Sequence, residues 1–444
     1  MPLRARSDAW RRILEGEAPE RVSAFWPAFG RAVEVDGEAF REVTFVTEVV
    51  TGPAPVQRQG QGPSPAVAIV LNGITDGHRA DLTGALLDEV PGSPIRVIDY
   101  LLPDDLVLSY GFVSAPWLDR ESGATWEGWF RIQDALVPDA RNPRRLPTQF
   151  GRLASVLVGP AGAVHPAWES SAWESPARQE EVPGGEELPL GGEFAGRSAL
   201  VLPWGRPGEV VLLFDGEEWE RIGIRPALAR LSASVEGSDG STDAGGADGR
   251  GDGDEDGEAG CAADGAVVLV PSGTVEERWA VLPHPERAAA LAEAVLDALA
   301  GHRGRGGHRP DPEQTIIAGQ SFGGLAAAAV VALRPDLATT AIVQSGSFEF
   351  AADLAPEAWG SEPGDLLVRL AALAGTDALR GRRFLVQSGT EEAGVAALSD
   401  AFAAAALAAG ATVTTRIHAG GHDYAWWRTA LFAALTPAVA DARP

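Results

Sequence analysis

Ser321 lies in the stretch TIIAGQSFGGLAAAAVV, flanked two residues away on either side by Gly319 and Gly323. A serine in this G-x-S-x-G setting can act as a nucleophile when it sits on a sharp strand-to-helix turn with its hydroxyl projecting outward. The motif alone is weak evidence in a chain with 53 glycines. Its setting carries more. Thr315–Ala318 reads as a short buried strand and Leu325–Leu333 as a helix stopped before Pro335, and glycines keep the turn between them uncrowded. Such a serine needs a base, and the base needs an acid to hold its tautomer. The segment RFLVQSG ends at Gly389 and runs straight into Glu391 and Glu392; the next strand-like segment, TVTTRIHAGGHD, leads to His422. Serine, acid and histidine thus follow in the chain order of an α/β-hydrolase, the last two just beyond strand ends. His422 would take the serine proton and return it to the leaving alcohol, with Gly420 and Gly421 letting its loop turn inward. Spacing leaves open whether Glu391 or Glu392 is the acid. His418, inside the strand, reads as structural; His78, His165, His284, His302 and His308 lack a strand-end setting. An oxyanion hole requires two backbone donors. Phe322, next to the serine, supplies one, and Gly216 or Glu217, after the hydrophobic strand in VVLLFDGEEW, supplies the other. Asp215 precedes the serine by too long a stretch for the triad acid and reads as structural.

The elements around these residues predict their carrier. From Ser198 onward, strands (198–202, 210–214, 266–270, 315–318, 339–344, 384–387, 412–418) alternate with helices (224–231, 286–299, 325–333, 400–409), as a mostly parallel sheet covered on both faces requires. Upstream, 43–50, 66–71, 95–101 and 126–130 read as strands joined by turns, which predicts an all-β, immunoglobulin-like sandwich. The expected fold is therefore α/β: a three-layer α/β-hydrolase domain over 197–444, preceded by a smaller sandwich over 1–165. Residues 166–196, rich in Pro, Glu, Gly and Ser, read as a linker. Residues 232–264 hold ten acids and one arginine in a low-complexity stretch that reads as a disordered insertion, without the pattern of an EF-hand.

Composition narrows the function. The formal charge of −26 opposes nucleic acid or an anionic membrane as a partner. No apolar run is long enough to span a bilayer, and Met1–Glu20 lacks the apolar core of a signal peptide, so the expected location is cytoplasmic. The single cysteine, Cys261, excludes an internal disulfide framework, and the absence of lysine excludes lysine chemistry. No H-E-x-x-H motif or paired His/Asp cluster points to a metal, and no cofactor is expected.

Taken together, LLFDGEEW, AGQSFGGLAA, VQSGSFEF, the G-x-x-E of Gly389–Glu392 and GGHDYAWWR resemble the enterochelin esterase family, and AIVLNGITD, SYGF and DARNPRRLP resemble that family's N-terminal sandwich. The resemblance covers most of the chain. It implies a serine esterase that opens the trilactone of a ferric catecholate siderophore in the cytoplasm, with Ser321, Glu392 and His422 as its triad and Arg278 in the substrate pocket. Val281 and Pro285 stand where the family carries a glutamate and an asparagine, and the acidic insertion is foreign to it. A large, aromatic, anionic ligand calls for aromatic faces and arginines. Trp219, Trp279, Tyr424 and Arg428 join Arg278 as candidates, with Trp426 or Trp427 expected in the core. GGHDYAWWR also resembles the histidine segment of carbohydrate acetyl and feruloyl esterases, and a non-catalytic binding protein on a hydrolase scaffold is the alternative of another class.

Overall fold

A computed structural model describes residues 27–49, 65–148, 151–168, 184–239, 265–302, 307–355 and 363–436. The chain divides into two compact units. One comprises Met1–Ser175 together with two short later segments, Gly389–Ala393 and Ile417–Thr429; the other comprises Pro176–Ser388, Gly394–Arg416 and Ala430–Pro444.

The first unit is a β-sandwich. One sheet has the order β1 (Ala28–Val35), β2 (Glu38–Glu48), β5 (Ile95–Pro103), β4 (Asp88–Glu89). The other has the order β3 (Ala66–Leu71), β6 (Val107–Ala115), β8 (Leu153–Val158), β7 (Arg145–Pro147). All pairings are antiparallel. Alternation along β3 shows how the layers are built. Val67, Ile69 and Leu71 join Phe45, Ile98 and Tyr110 between the sheets, while Ala68 and Val70 face a second cluster with Val113, Trp129 and Ile132. With both faces covered, AVAIVL must be apolar throughout.

Trp129 and Ile132 belong to a helix, α1 (Trp126–Asp134), where a strand was expected over 126–130. The Thr125 hydroxyl accepts from the Gly128 amide as an N-cap, and Trp126 stacks on Phe130 one turn later at 5.8 Å. The aromatics that suggested a strand are thus the exposed i, i+4 stripe of an amphipathic helix.

In the second unit an eight-stranded sheet runs β16 (Thr412–His418), β15 (Arg383–Gly389), β14 (Thr340–Gln344), β13 (Thr315–Gln320), β11 (Val210–Leu213), β12 (Gly265–Leu269), β10 (Ser198–Trp204), β9 (Glu186–Pro189). The pairings linking β12, β11, β13, β14 and β15 are parallel; β10 runs antiparallel to β12 and β9. β11 to β14 are buried at every residue, as a sheet covered on both faces demands. The helices are α2 (Gly216–Arg221), α3 (Ile224–Asp239), α4 (Val275–Val281), α5 (Pro285–Ala300), α6 (Phe322–Leu333), α7 (Asp365–Ala371), α8 (Ala393–Ala408) and α9 (Tyr424–Leu435). α5 and α6 pack together in the main core, and α6 lies on β13 and β14. This is an α/β-hydrolase architecture preceded by a β-sandwich domain, which is not all-β as expected because it carries α1. β9 falls inside the stretch read as a linker, and α3 carries the chain to Asp239, into the stretch read as a disordered insertion. The remainder of that insertion, 240–264, lies outside the described residues, as does Cys261.

Candidate active site

β13 delivers Ser321 to a strained turn. Its φ is 55° and ψ −123°, a combination that costs a non-glycine residue about 1–3 kcal/mol and persists only where neighbours over-determine it. Here they do. The Ser321 amide donates to the Gln344 carbonyl at 3.0 Å, and the Ser321 carbonyl accepts from the Leu325 amide at 3.0 Å and the Ser347 amide at 3.2 Å. A Cβ on Gly319 would lie 2.3 Å from the Gly323 carbonyl oxygen, so only glycine fits there. At Gly323 it would lie 3.1 Å from an Asp215 oxygen. Behind the turn, α6 is apolar and buried almost throughout, which anchors the helical side of the strain.

The Ser321 hydroxyl lies 3.2 Å from that of Ser347, a buried residue in the loop after β14. Sequence reading missed Ser347. Its only signal was a second serine in VQSGSFEF.

His422 sits four residues beyond β16. Its Nδ1 is 2.6 Å from Glu392 Oε2, and Glu392 Oε1 accepts from the Gly389 amide at 2.6 Å. The pairing separates the two adjacent acids: Glu391 accepts from the Thr390 hydroxyl, and its amide donates to the Gly420 carbonyl. With the Glu392 carboxylate on Nδ1, the proton resides there and Nε2 is the basic nitrogen. The Trp427 ring meets the imidazole edge to face at 4.9 Å.

Two further carboxylates stand near this imidazole. Asp76, just after β3, is pushed up to about 6, foremost by burial and despite accepting from the Gly73 amide; His422 and Asp423 are its charged neighbours, with Arg79. Asp423 is likewise raised by burial, while the Ser109 and Ala425 donors act the other way. Neither acid stood out in the sequence, because what distinguishes Asp423 is its burial against Ser109 on β6, more than 300 residues upstream, and what distinguishes Asp76 is its nearness to His422 and Asp423, as far downstream.

The oxyanion donors need one correction. The Gly216 amide donates to the Val270 carbonyl at 2.9 Å, which ties it into the sheet edge and removes it as a candidate. Phe322 and Glu217 lie in the first turns of α6 and α2. Asp215, also at positive φ (58°), is buried and paired through both oxygens with Arg278, at 2.6 and 2.8 Å; it also accepts from Ser272 and Gln320. Its role is to hold the floor under the Ser321 turn.

Arg278 is accordingly an ion-pair partner first, with a quarter of its side chain exposed (26%). Its guanidinium lies 5.3 Å over the Phe322 ring, which also meets Trp279 at 5.0 Å and Phe350 at 5.9 Å. Trp279 is the exposed aromatic of this group, at 39%. Two other expected substrate contacts are core residues. Trp219 is fully buried, its indole N–H donating to Gln320 Oε1 at 3.2 Å. Arg428 is also fully buried; burial lowers its guanidinium to about 9, and it lies 5.3 Å over Trp168, whose indole N–H donates to the Arg428 carbonyl. Both follow a helix start by a few residues, and the inward face of α2 and α9 claimed them. Tyr424, Trp426 and Trp427 are buried as well, with the His418 ring stacked on Trp426 at 4.8 Å. Among the described residues no group of three His, Cys, Asp or Glu could hold a metal, and no helix is long and apolar enough to cross a membrane.

An α/β-hydrolase sheet that delivers a serine on a strained strand-to-helix turn is the architecture of a serine-hydrolase class of protein. Residues 198–437 match the family described as "Putative esterase", more than half of the chain, and the chain belongs to that family. Residues 56–168 match the family described as "Enterochelin esterase, N-terminal". The chain is 25% identical to the iron(III) enterobactin esterase of Escherichia coli O6:H1 over 389 residues, 83% of this chain and 85% of that protein. It is 33% identical to the iron(III) enterobactin esterase of Dickeya dadantii over 126 residues, 27% of this chain and only 28% of that protein. The crystal structure of the enterobactin esterase from Shigella flexneri in the presence of enterobactin superposes with a TM-score of 0.68 at 20% identity, covering 98% of each chain.

Proposed function

We propose that this esterase hydrolyses the ester backbone of a ferric catecholate siderophore, opening its trilactone to release the iron, and that it does so in the cytoplasm. The observation that carries the substrate is the pairing of an enterochelin-esterase N-terminal domain with an esterase domain in one chain, the organisation of the enterobactin esterases it resembles over most of its length. Trp279 and Arg278, grouped around Phe322 beside the serine turn, supply the exposed aromatic face and the cation that a catecholate anion calls for.

In the mechanism, Ser321 Oγ attacks the lactone carbonyl carbon while His422 Nε2 takes its proton, and Glu392 stabilises the imidazolium. The amides of Phe322 and Glu217 bind the oxyanion. Collapse of the tetrahedral intermediate expels the alcohol oxygen, which His422 protonates; a water then attacks the acyl-enzyme with His422 again as base.

Purified protein should convert a ferric tri-catecholate trilactone to linear products by chromatography. Ser321→Ala and His422→Ala should each lower turnover by about four orders of magnitude or more, and Glu392→Gln by less. Rapid cleavage of feruloyl or acetyl sugar esters with no action on the lactone would overturn the substrate.

A further inference from the structure

We propose that Ser109, on strand β6 of the sandwich, is a positioning residue for His422, acting through Asp423. This rests on His422 being the base of the esterase proposed above. The Ser109 amide and hydroxyl both donate to Asp423 Oδ2, each at 2.7 Å, and the other oxygen, Oδ1, accepts from the Ala425 amide at 2.7 Å. Asp423 therefore ties the start of α9 to a sheet that lies more than 300 residues earlier in the chain, and it adjoins His422 directly. Ser109 and Asp423 are 5% and 7% exposed. A buried carboxylate with three donors in fixed positions has little freedom, and neither has the backbone next to it.

The rest of the histidine loop is seated on the same strands. The Val107 amide donates to the Ala419 carbonyl at 2.8 Å. A Cβ on Gly420 would lie 2.8 Å from the Val107 carbonyl, and one on Gly421 would lie 2.4 Å from the Asn72 carbonyl. Those glycines are required by close approach to the sandwich rim. The acid loop meets the same rim: a Cβ on Gly73 would lie 2.6 Å from the Glu391 carbonyl. The β3–β6 rim thus sets the orientation in which Glu392 meets the imidazole. Ser109 makes the strongest of these contacts, because it is the one with a charged partner.

The test uses the full chain with an activated ester. Ser109→Ala should lower kcat about tenfold to a hundredfold with KM little changed, since a displaced base costs the chemical step rather than binding. Ser109→Thr keeps both donors and should restore most of the loss. Asp423→Asn should also move the acid limb of kcat/KM to lower pH, because removing a negative charge beside His422 makes its protonation less favourable. The other charges facing that imidazole, Glu392 and Asp76, and Arg428 beside Asp423, are unaltered in this variant, so the shift reports Asp423. Wild-type kcat and an unmoved acid limb in both Ser109→Ala and Asp423→Asn, alongside an inactive Ser321→Ala, would overturn the positioning role alone. Persistent turnover in Ser321→Ala or His422→Ala would overturn it together with the serine-esterase mechanism. Should Asp423→Asn fail to fold, the Ser109→Ala and Ser109→Thr pair decides.

Discussion

Asp76 shows how one half-buried carboxyl ties stability to pH. Its acid is about 6 when folded, above the usual carboxylate value, so the folded protein holds this proton more tightly than the unfolded chain does. The sign follows from linkage. Ionisation of Asp76 weakens the fold as pH rises through 6, and below about pH 4, where both states are protonated, the effect vanishes. Asp76→Asn keeps an acceptor for the Gly73 amide and removes the charge, so it should stabilise the protein by up to about 3 kcal/mol at pH 8 and by well under about 1 kcal/mol at pH 4. Melting temperatures of the two proteins across that range check it, and an equal difference at both ends would contradict the burial argument. At this scale the legible residues were those fixed by local pattern. Ser321 announces itself by glycines that its turn needs, and His422 by a strand that ends just before it. Glu391 and Glu392 could not be told apart, since their difference is a side-chain direction. Gly216 was misread because its amide is consumed by Val270, a long-range pairing that no local pattern records.

Elements were legible where hydrophobic period and length agreed. β3, β13 and β16 lie where alternating or continuous apolar runs put them, whereas α1 was mistaken for a strand because a short aromatic-rich segment satisfies either period. β6 is not legible as a strand: VLSYGFVSA carries polar and small residues whose place depends on partners such as Asp423. Two glycine substitutions separate a packing constraint from mere propensity. Gly319→Ala must push a methyl against the Gly323 carbonyl, a backbone atom that cannot swing away, and should cost about 1–3 kcal/mol and much of the turnover. Gly394→Ala, in α8 with nothing within 4 Å of the new methyl, should stabilise by roughly 0.5 kcal/mol and leave activity alone. Chemical denaturation of both variants reads the contrast; a neutral Gly319→Ala would show the turn to be looser than its geometry implies.

For the whole molecule, charge is spread unevenly. Residues 240–264, between α3 and β12, hold eight acids and one arginine, a net −7 within a total of −26. Composition of this kind buries little. Replacing it with a Gly/Ser linker of about ten residues should shift the melting temperature by no more than about 2 °C and leave turnover of a neutral ester unchanged, by calorimetry and steady-state assay. With a ferric catecholate anion, kcat/KM should rise with added salt in the intact protein, as screening relieves like-charge repulsion, and rise less without the segment. An unchanged salt response would place the relevant field elsewhere. The architecture at this scale was readable from the switch between two repeating textures, yet the compact units do not follow the chain's order, because Gly389–Ala393 and Ile417–Thr429 join the sandwich. That membership bears on inheritance. A gene shortened to its back half would still encode Ser321, Glu392 and His422, but not the strands on which the last two are seated. Ancestral loss or exchange of the front half would therefore have had to be matched by changes in two short loops far downstream, so descent should show these three stretches of the polypeptide changing in concert.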